Sequence, residues 1–280
     1  MAININMRRV DIRMKELFEG HVDMKDSPND TTHHFETRAL AGFALVMKSG
    51  LEVSQACIHI TDGYHDMGID AIYLDESQRK LFVVQSKWRS NGTGSIKQEE
   101  AISFAHAIQR VLELDLKGGN DRIMAKASDI DVALTQMGYQ IHSIFIHTGD
   151  PCQQEFVLKP INKLVEQTND GISTILVFEE INLKDIYTFL ANGQDSMSID
   201  IEDVILLNWG KTDTPFRSYY GIISASTLGE WYKRYGNLLF AKNIRFYKGN
   251  TDVNEGMKRV LLEEPEKFYY YNNGVKVLCK

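Results

Sequence analysis

The stretch from Gly68-Ile69-Asp70 through Lys80-Leu81-Phe82-Val83-Val84-Gln85-Ser86-Lys87-Trp88 most constrains how this chain can fold. It predicts two short strands joined by a polar turn, Asp75 to Lys80. The second run, Leu81 to Trp88, is rich in strand-forming residues. Side chains alternate between the faces of a strand. Leu81, Val83, Gln85 and Lys87 therefore share one face, and Phe82, Val84, Ser86 and Trp88 share the other. The first face turns polar at its end and presents an amide and an ammonium together. On the preceding strand, Asp70 shares a face with Ile72 and Leu74. Paired as a hairpin, the two strands bring Asp70 beside Gln85 and Lys87.

Those residue types suit one chemistry. Magnesium takes oxygen ligands and keeps several waters, so a carboxylate and an amide oxygen can hold it and leave room for a phosphate. The metal acidifies a bound water and shields charge building on phosphorus. A neighbouring lysine can orient the attacking water or stabilise that charge. The competing account of the same spacing is an ordinary hairpin with a solvated strand end, because short motifs arise often by chance.

The rest of the sequence sets bounds. A chain of 280 residues holds one large domain or two ordinary ones, and 43% hydrophobic content supports a packed core. A net charge of -7 argues against a non-specific nucleic-acid coat protein, but it is compatible with an enzyme that has a local basic cleft and a metal. Cys57, Cys152 and Cys279 form no Cys-x-x-Cys pair, which fits a reducing cytosol and gives no support to a zinc cluster. The eight histidines make no ligand pattern; His142 and His147 fall on opposite strand faces. Arg8 and Arg9 precede no apolar run, and no stretch approaches the length of a membrane span. The expectation is a soluble, cytoplasmic protein.

Residues 1–31 read as a polar N-terminal arm with a short helix, Val10 to Phe18. Thr32 to Ser49 predicts a helix stopped by Gly50. Glu36, Leu40, Phe43 and Met47 fall on one stripe of it. Glu36 is then either an acid at the exposed first turn, where it suits the helix dipole, or a buried carboxylate that needs a partner or a metal. Cys57 to Ile60 predicts a strand, and Thr61 to Gly68 a loop holding Asp62, His65 and Asp66. After the hairpin, Ser95 and Gln98 have capping-box spacing for a helix to about Asp115, with Ile102, Ala105, Ile108 and Leu112 inward. Asp131 to Met137 adds a helical turn or two. Strands follow at Ile141–His147 and Ser173–Phe178. Helices follow at Gln153–Gln167, with Pro160 as a kink or break, and at Leu183–Leu190. From Glu36 to Leu190 the order is α-β-β-β-α-β-α-β-α, a mixed α/β sandwich around a central sheet. Ala191 to Ser196 is a polar break, after which aromatic residues become dense. Asn273-Gly274 suits a tight hairpin turn near the end.

Two parts of the chain resemble known families. Glu36, Gly68-Ile69-Asp70 and Val84-Gln85-Ser86-Lys87, with their order of elements, resemble the PD-(D/E)XK nuclease superfamily in its Mrr-like form, where glutamine replaces the second acid. The tail is similar to AIPR proteins, the abortive-infection phage-resistance family. That likeness rests on Tyr219-Tyr220-Gly221, Leu239-Phe240, Asn243-Ile244-Arg245, Val253-Asn254 and Phe268-Tyr269-Tyr270-Tyr271-Asn272-Asn273-Gly274-Val275. The resemblance implies a PD-(D/E)XK restriction-endonuclease-like mixed sheet flanked by helices over 32–195, followed at 196–280 by the start of an AIPR domain. The family continues past the Asn-Asn-Gly motif, so the expectation is a C-terminally truncated chain.

By the same resemblance, Asp70 and Gln85 are metal ligands, with the Ser86 backbone carbonyl. Glu36 is an accessory ligand or orients the metal water, and Lys87 positions the water and stabilises charge. Asp66 is a further acid nearby, and Arg89 and Lys97 either touch phosphates or belong to a solvated loop. The cofactor is Mg²⁺ or Mn²⁺. The implied function is a metal-dependent endonuclease, a phosphodiester hydrolase that cuts nucleic acid, DNA in the first instance, in bacterial anti-phage abortive infection. The tail would sense a phage-derived trigger or mediate homo-oligomer assembly, with no membrane partner. The alternative is a degenerate nuclease fold serving as a nucleic-acid- or protein-binding sensor module, which Gln85 and the acidic net charge both allow.

Overall fold

The computed structural model describes residues 4–26, 31–192, 201, 204–213, 217–235, 239, 258–260 and 262–264. These fall into two units, one within Met1–Ile199 and Gly229–Ala241, the other within Asp200–Leu228 and Lys242–Lys280. The predicted hairpin around Asn273-Gly274 lies outside the described residues.

The first unit is a three-layer α/β/α sandwich. Its elements are α1 (Ile5–Phe18), α2 (Thr31–Ser49), α3 (Val53–Ile58), β1 (Ala71–Asp75), β2 (Lys80–Lys87), α4 (Gln98–Leu112), α5 (Asp121–Met124), α6 (Ala127–Thr135), β3 (Gln140–His147), α7 (Glu155–Thr168), β4 (Leu176–Ile181) and α8 (Leu183–Asn192). The strands lie in the order β1-β2-β3-β4; β1 runs antiparallel to β2, and the other neighbours are parallel. The alternation expected of β2 sorts its side chains into two cores. Phe82, Val84 and Trp88 face the layer of α1, α2 and α8. Leu81 and Val83 face the layer of α4, α6 and α7.

On the first face, α2 is buried all round from Arg38 to Met47. A run such as Ala39-Leu40-Ala41-Gly42-Phe43-Ala44-Leu45-Val46 has no polar side to turn to solvent, so it needs cover everywhere. The sheet covers one side. The helix α1 covers another with Met7, Val10, Met14 and Phe18, so the stretch read as an arm contributes to the core. Phe43 meets Phe18 edge-on at 6.4 Å and Phe189 of α8 at 5.3 Å. Lys48 of α2 and His142 of β3 pair with Glu179 of β4, tying this layer to the far strand.

Three local expectations change. Cys57 to Ile60 is not a strand: Val53–Ile58 forms α3, with Ala56 buried among the residues of the first core, and only Ile60 bridges Ala71. The inward stripe of α4 is Ala101, Phe104, Ala105, Ile108 and Val111, whereas Ile102 is 51% exposed. Phe104 sets that rotation by meeting Phe145 of β3 edge-on at 5.6 Å. Its cap also lies two residues further on than Ser95, since Lys97 N donates to Glu100 Oε2 at 2.9 Å. Pro160 sits inside an unbroken α7, where Val157 and Ile161 are buried against the second core. The missing donor falls in the second turn, beside exposed Phe156.

The loops beyond the ends of β2 and β3 interlock. Asp150 N donates to Gly94 O at 2.9 Å, and Gly94 N donates to Asp150 Oδ2 at 3.0 Å. A Cβ on Gly149 would collide with the Gly94 carbonyl oxygen and lie 2.9 Å from Arg89 Cδ. Gly149→Ala is therefore expected to cost about 1–3 kcal/mol, the usual range for overpacking. Urea denaturation measures it, and an unchanged midpoint would show that the two loops separate easily.

The second unit contributes β5 (Leu207–Thr212) and β6 (Ser218–Ile222), an antiparallel pair with Leu207 opposite Ile222. The helix α9 (Ala225–Tyr235) begins where Ser224 Oγ accepts the Thr227 N–H at 3.0 Å.

Candidate metal centre

Asp70 immediately precedes β1. Its N–H donates to Val84 O at 2.8 Å, which extends the Ala71–Val84 register by one step and sets Asp70 against Gln85. Both are buried, at 6% and 4% exposure. Asp70 Oδ2 accepts the Ser86 N–H at 2.6 Å and the Ser86 hydroxyl at 2.8 Å. Ser86 thus meets Asp70 through its donors, and Oδ1 takes no hydrogen bond among the described residues. Ser86 Oγ also stands 3.0 Å from Thr37 O, so its single proton is shared between the carboxylate and the α2 carbonyl where that helix meets the site. Glu36, one residue earlier on α2, is half-buried.

Gln85 Oε1 is buried and has no hydrogen-bond donor among the described residues. A buried acceptor without a partner costs about 1–3 kcal/mol, so this atom is suited to an additional ligand. The Gln85 amide lies against Gly68, whose φ is +76° and on which a Cβ would stand 3.3 Å from Gln85 Nε2. Only glycine takes that backbone conformation without strain and leaves the amide its place.

The loop from Thr61 to Gly68 wraps back onto the strand. Thr61 N and Asp62 N both donate to Asp70 O, at 2.8 and 3.1 Å. Asp66 braces the turn by accepting Gly68 N at 2.8 Å and Gly63 N at 3.3 Å. As a result one carboxylate oxygen each of Asp62, Asp66 and Asp70 lies within 4.8 Å of the others. Glu36 is not one of the acids that converge there.

Two cations balance this cluster in part. Arg38, 1% exposed, donates through Nε to Asp62 Oδ2 at 2.8 Å and is shared with Asp26. Lys87 makes no ion pair within 4 Å among the described residues, yet its charge acts on both Asp66 and Asp70. Burial, then the neighbouring Asp62 and Asp66 charges, push the Asp70 carboxyl up to about 7. Burial also raises Asp66, against the two N–H groups that it accepts. Oxygen donors, excess negative charge and an orphaned amide oxygen together fit a hard divalent cation.

A pH dependence follows. Without divalent cations, unfolded Asp70 ionises near 4, whereas folded Asp70 keeps its proton until about 7. The stability that it contributes is complete below pH 4 and is lost as pH rises through 7. Between pH 5 and 7 the loss is on the order of 2 kcal/mol. Thermal melts in chelator at the two pH values should show it, and those of Asp70→Asn should not. Added Mn²⁺ should restore stability at pH 7, because the cation selects the ionised carboxylate.

The sequence pointed to Asp70, Gln85 and Lys87 through their spacing. It did not point to Arg38 or to Asp62. The signal for Arg38 was present: one arginine at the start of the run of α2 that has no polar side must be buried and paired.

Beyond Lys87, a cleft of about 730 Å³ is lined by residues of the loop that follows Trp88 (Arg89 and Lys97 among them) and by Gln154, Phe156 and Val157. Arg89 is turned inward, bonding Ser95 O at 2.8 Å and Glu100 Oε2 at 2.7 Å. Among the described residues no helix is long and apolar enough to cross a membrane.

A family model described as AIPR protein matches residues 240–280. Of these, the structure describes only 258–260 and 262–264. No curated protein and no solved structure matches the chain.

Proposed function

We propose that the first unit is a metal-dependent phosphodiester hydrolase acting on nucleic acid, DNA in the first instance, and that the whole chain serves in abortive-infection defence against phage. The observation that carries the hydrolase assignment is Gln85: a buried amide oxygen with no donor among the described residues, opposite Asp70 and on the same strand face as Lys87. The defence role rests on the AIPR match at residues 240–280.

Asp70 Oδ1 and Gln85 Oε1 would hold Mg²⁺ or Mn²⁺. The bound ion would supply an acidified water and a counter-charge for the phosphate. Ser86 fixes Asp70 by donating both hydrogen bonds to Oδ2, so that the carboxylate cannot rotate away. Lys87 has no competing carboxylate within ion-pair distance among the described residues and can meet the charge that develops on phosphorus. Glu36 stands on the helix that Ser86 docks and would orient the metal-bound water.

Incubating the chain with plasmid and with single-stranded DNA, in Mg²⁺, Mn²⁺ or chelator, tests the assignment. Metal-dependent cleavage is expected. Binding of DNA without cleavage in either metal, by the chain and by any longer form of it, would favour a binding module instead.

A further inference from the structure

Two acids of the loop, Asp62 and Asp66, lie outside the Asp…Gln-x-Lys pattern, and the structure treats them differently. All five N–H groups of Arg38 are engaged. Nε meets Asp62 Oδ2, Nη1 meets Asp23 O and Asp26 Oδ1, and Nη2 meets Asp26 Oδ2 and Asp62 O. The Asp62 carbonyl also accepts Arg122 Nη1 at 2.8 Å. Asp62 is therefore already provided with a fixed cation. Asp66 has no basic side chain within ion-pair distance among the described residues; its oxygens meet only the N–H groups of Gly63 and Gly68. Each carboxylate oxygen can accept more than one contact, so capacity remains.

The position of Asp66 is also favourable. Gly68 lies between Asp66 and Asp70 in the chain, and a Cβ on it would stand 3.3 Å from Nε2 of the Gln85 amide, whose buried Oε1 has no hydrogen-bond partner among the described residues. Ligands on opposite sides of Mg²⁺ stand about 4.2 Å apart, twice the usual metal–oxygen distance. The carboxylate oxygens of the loop, within 4.8 Å of one another, need to close only slightly to reach that.

We propose that Asp66 is a third oxygen ligand for the divalent cation, together with Asp70 and Gln85. Arg38 holds Asp62 outside the ligand set as a positioning residue, so the centre takes one ion rather than two. Two ionised aspartates match one divalent charge, and Lys87 remains for a substrate anion. This rests on the metal site of the proposed hydrolase, but it concerns binding and does not require turnover.

The experiment uses the whole chain, stripped with chelator and titrated with Mn²⁺, with free Mn²⁺ read by electron paramagnetic resonance. One Mn²⁺ per chain is expected. Asp66→Asn should weaken binding at least 10-fold, and Asp62→Asn less than 3-fold with the count unchanged. Asparagine at 66 can still accept the Gly68 N–H, and melting in chelator checks that the loop stays folded. Asp66→Glu, which keeps the charge, should retain most of the affinity. Wild-type affinity in Asp66→Asn, an equal loss in Asp62→Asn, or two ions per chain would each overturn the proposal. No Mn²⁺ binding by the wild type would overturn this proposal and the hydrolase's metal together. Asp66-dependent binding without cleavage would keep this proposal and sink only the hydrolase.

Discussion

Lys87→Ala and Asp70→Asn are each expected to lower metal-dependent DNA cleavage by about 10²–10³-fold, which is what removal of one aligned electrostatic partner of a transition state costs. The two should differ in stability. Lys87 is half-buried and makes no ion pair within 4 Å among the described residues, so its truncation removes little folding energy. At Asp70, the buried carboxyl sits among other acids with its ionisation pushed up to about 7. Asparagine keeps an oxygen for the Ser86 N–H and hydroxyl and removes the charge. In chelator at pH 7 and above, Asp70→Asn should therefore be as stable as the wild type or more so. A group that weakens the fold where it stands, and is neutralised with a gain in stability and a loss of activity, is placed for function rather than for folding. Gel assays of initial cleavage rate, paired with urea denaturation in chelator, check both halves. Activity surviving in both variants would remove the hydrolase assignment. An Asp70→Asn chain much less stable than the wild type would mean that the carboxylate is structural.

What the sequence conveyed about this site depended on how local the information was. The hairpin could be read because strand alternation is a local rule: the parity that put Gln85 and Lys87 on one face also sorted Leu81 and Val83 from Phe82 and Val84. The end of α2 could be read because Gly50 takes φ +72°, a backbone state that favours glycine. The stretch Cys57–Ile60 failed because four residues with apolar ends suit a strand or a helix, and contact with α2 decided for a helix. The rotation of α4 failed because alanine carries little hydropathy signal, and Phe104 outweighs Ile102 only once Phe145 lies opposite. Asp62 and Arg38 are 24 residues apart. Their pairing depends on how the loop folds back over α2, which no spacing rule describes. The family model matches the tail at residues 240–280, of which the structure describes only 258–260 and 262–264, and Tyr219-Tyr220-Gly221 of the same resemblance lie in β6, before the matched range.

Arg38→Ala should be among the most destabilising single changes in the first unit, at about 3–5 kcal/mol, because it leaves a buried carboxylate without its cation. The side chain is 1% exposed, and Asp62 is 8% exposed. Truncation would empty the space under the loop, free Asp26, whose carboxyl Arg38 holds below its usual range, and release the turn around Asp23. Arg38→Lys should recover only part of the loss, since an ammonium has three donors and no planar fork to span Asp26 and Asp62 together. The same change alters the metal centre. Without Arg38, the Asp62 charge is uncompensated beside Asp66 and Asp70, so the cluster is more negative and more avid for a cation. Mn²⁺ should therefore restore more stability to Arg38→Ala than to the wild type, by binding the folded form alone. Urea midpoints with and without Mn²⁺, for the wild type, Arg38→Ala and Arg38→Ala/Asp62→Asn, separate the contributions. The double variant should regain part of the stability in chelator and lose the extra response to Mn²⁺. If Arg38→Ala costs less than about 1 kcal/mol, Asp62 is hydrated rather than buried, and nothing then keeps it from joining the ligands.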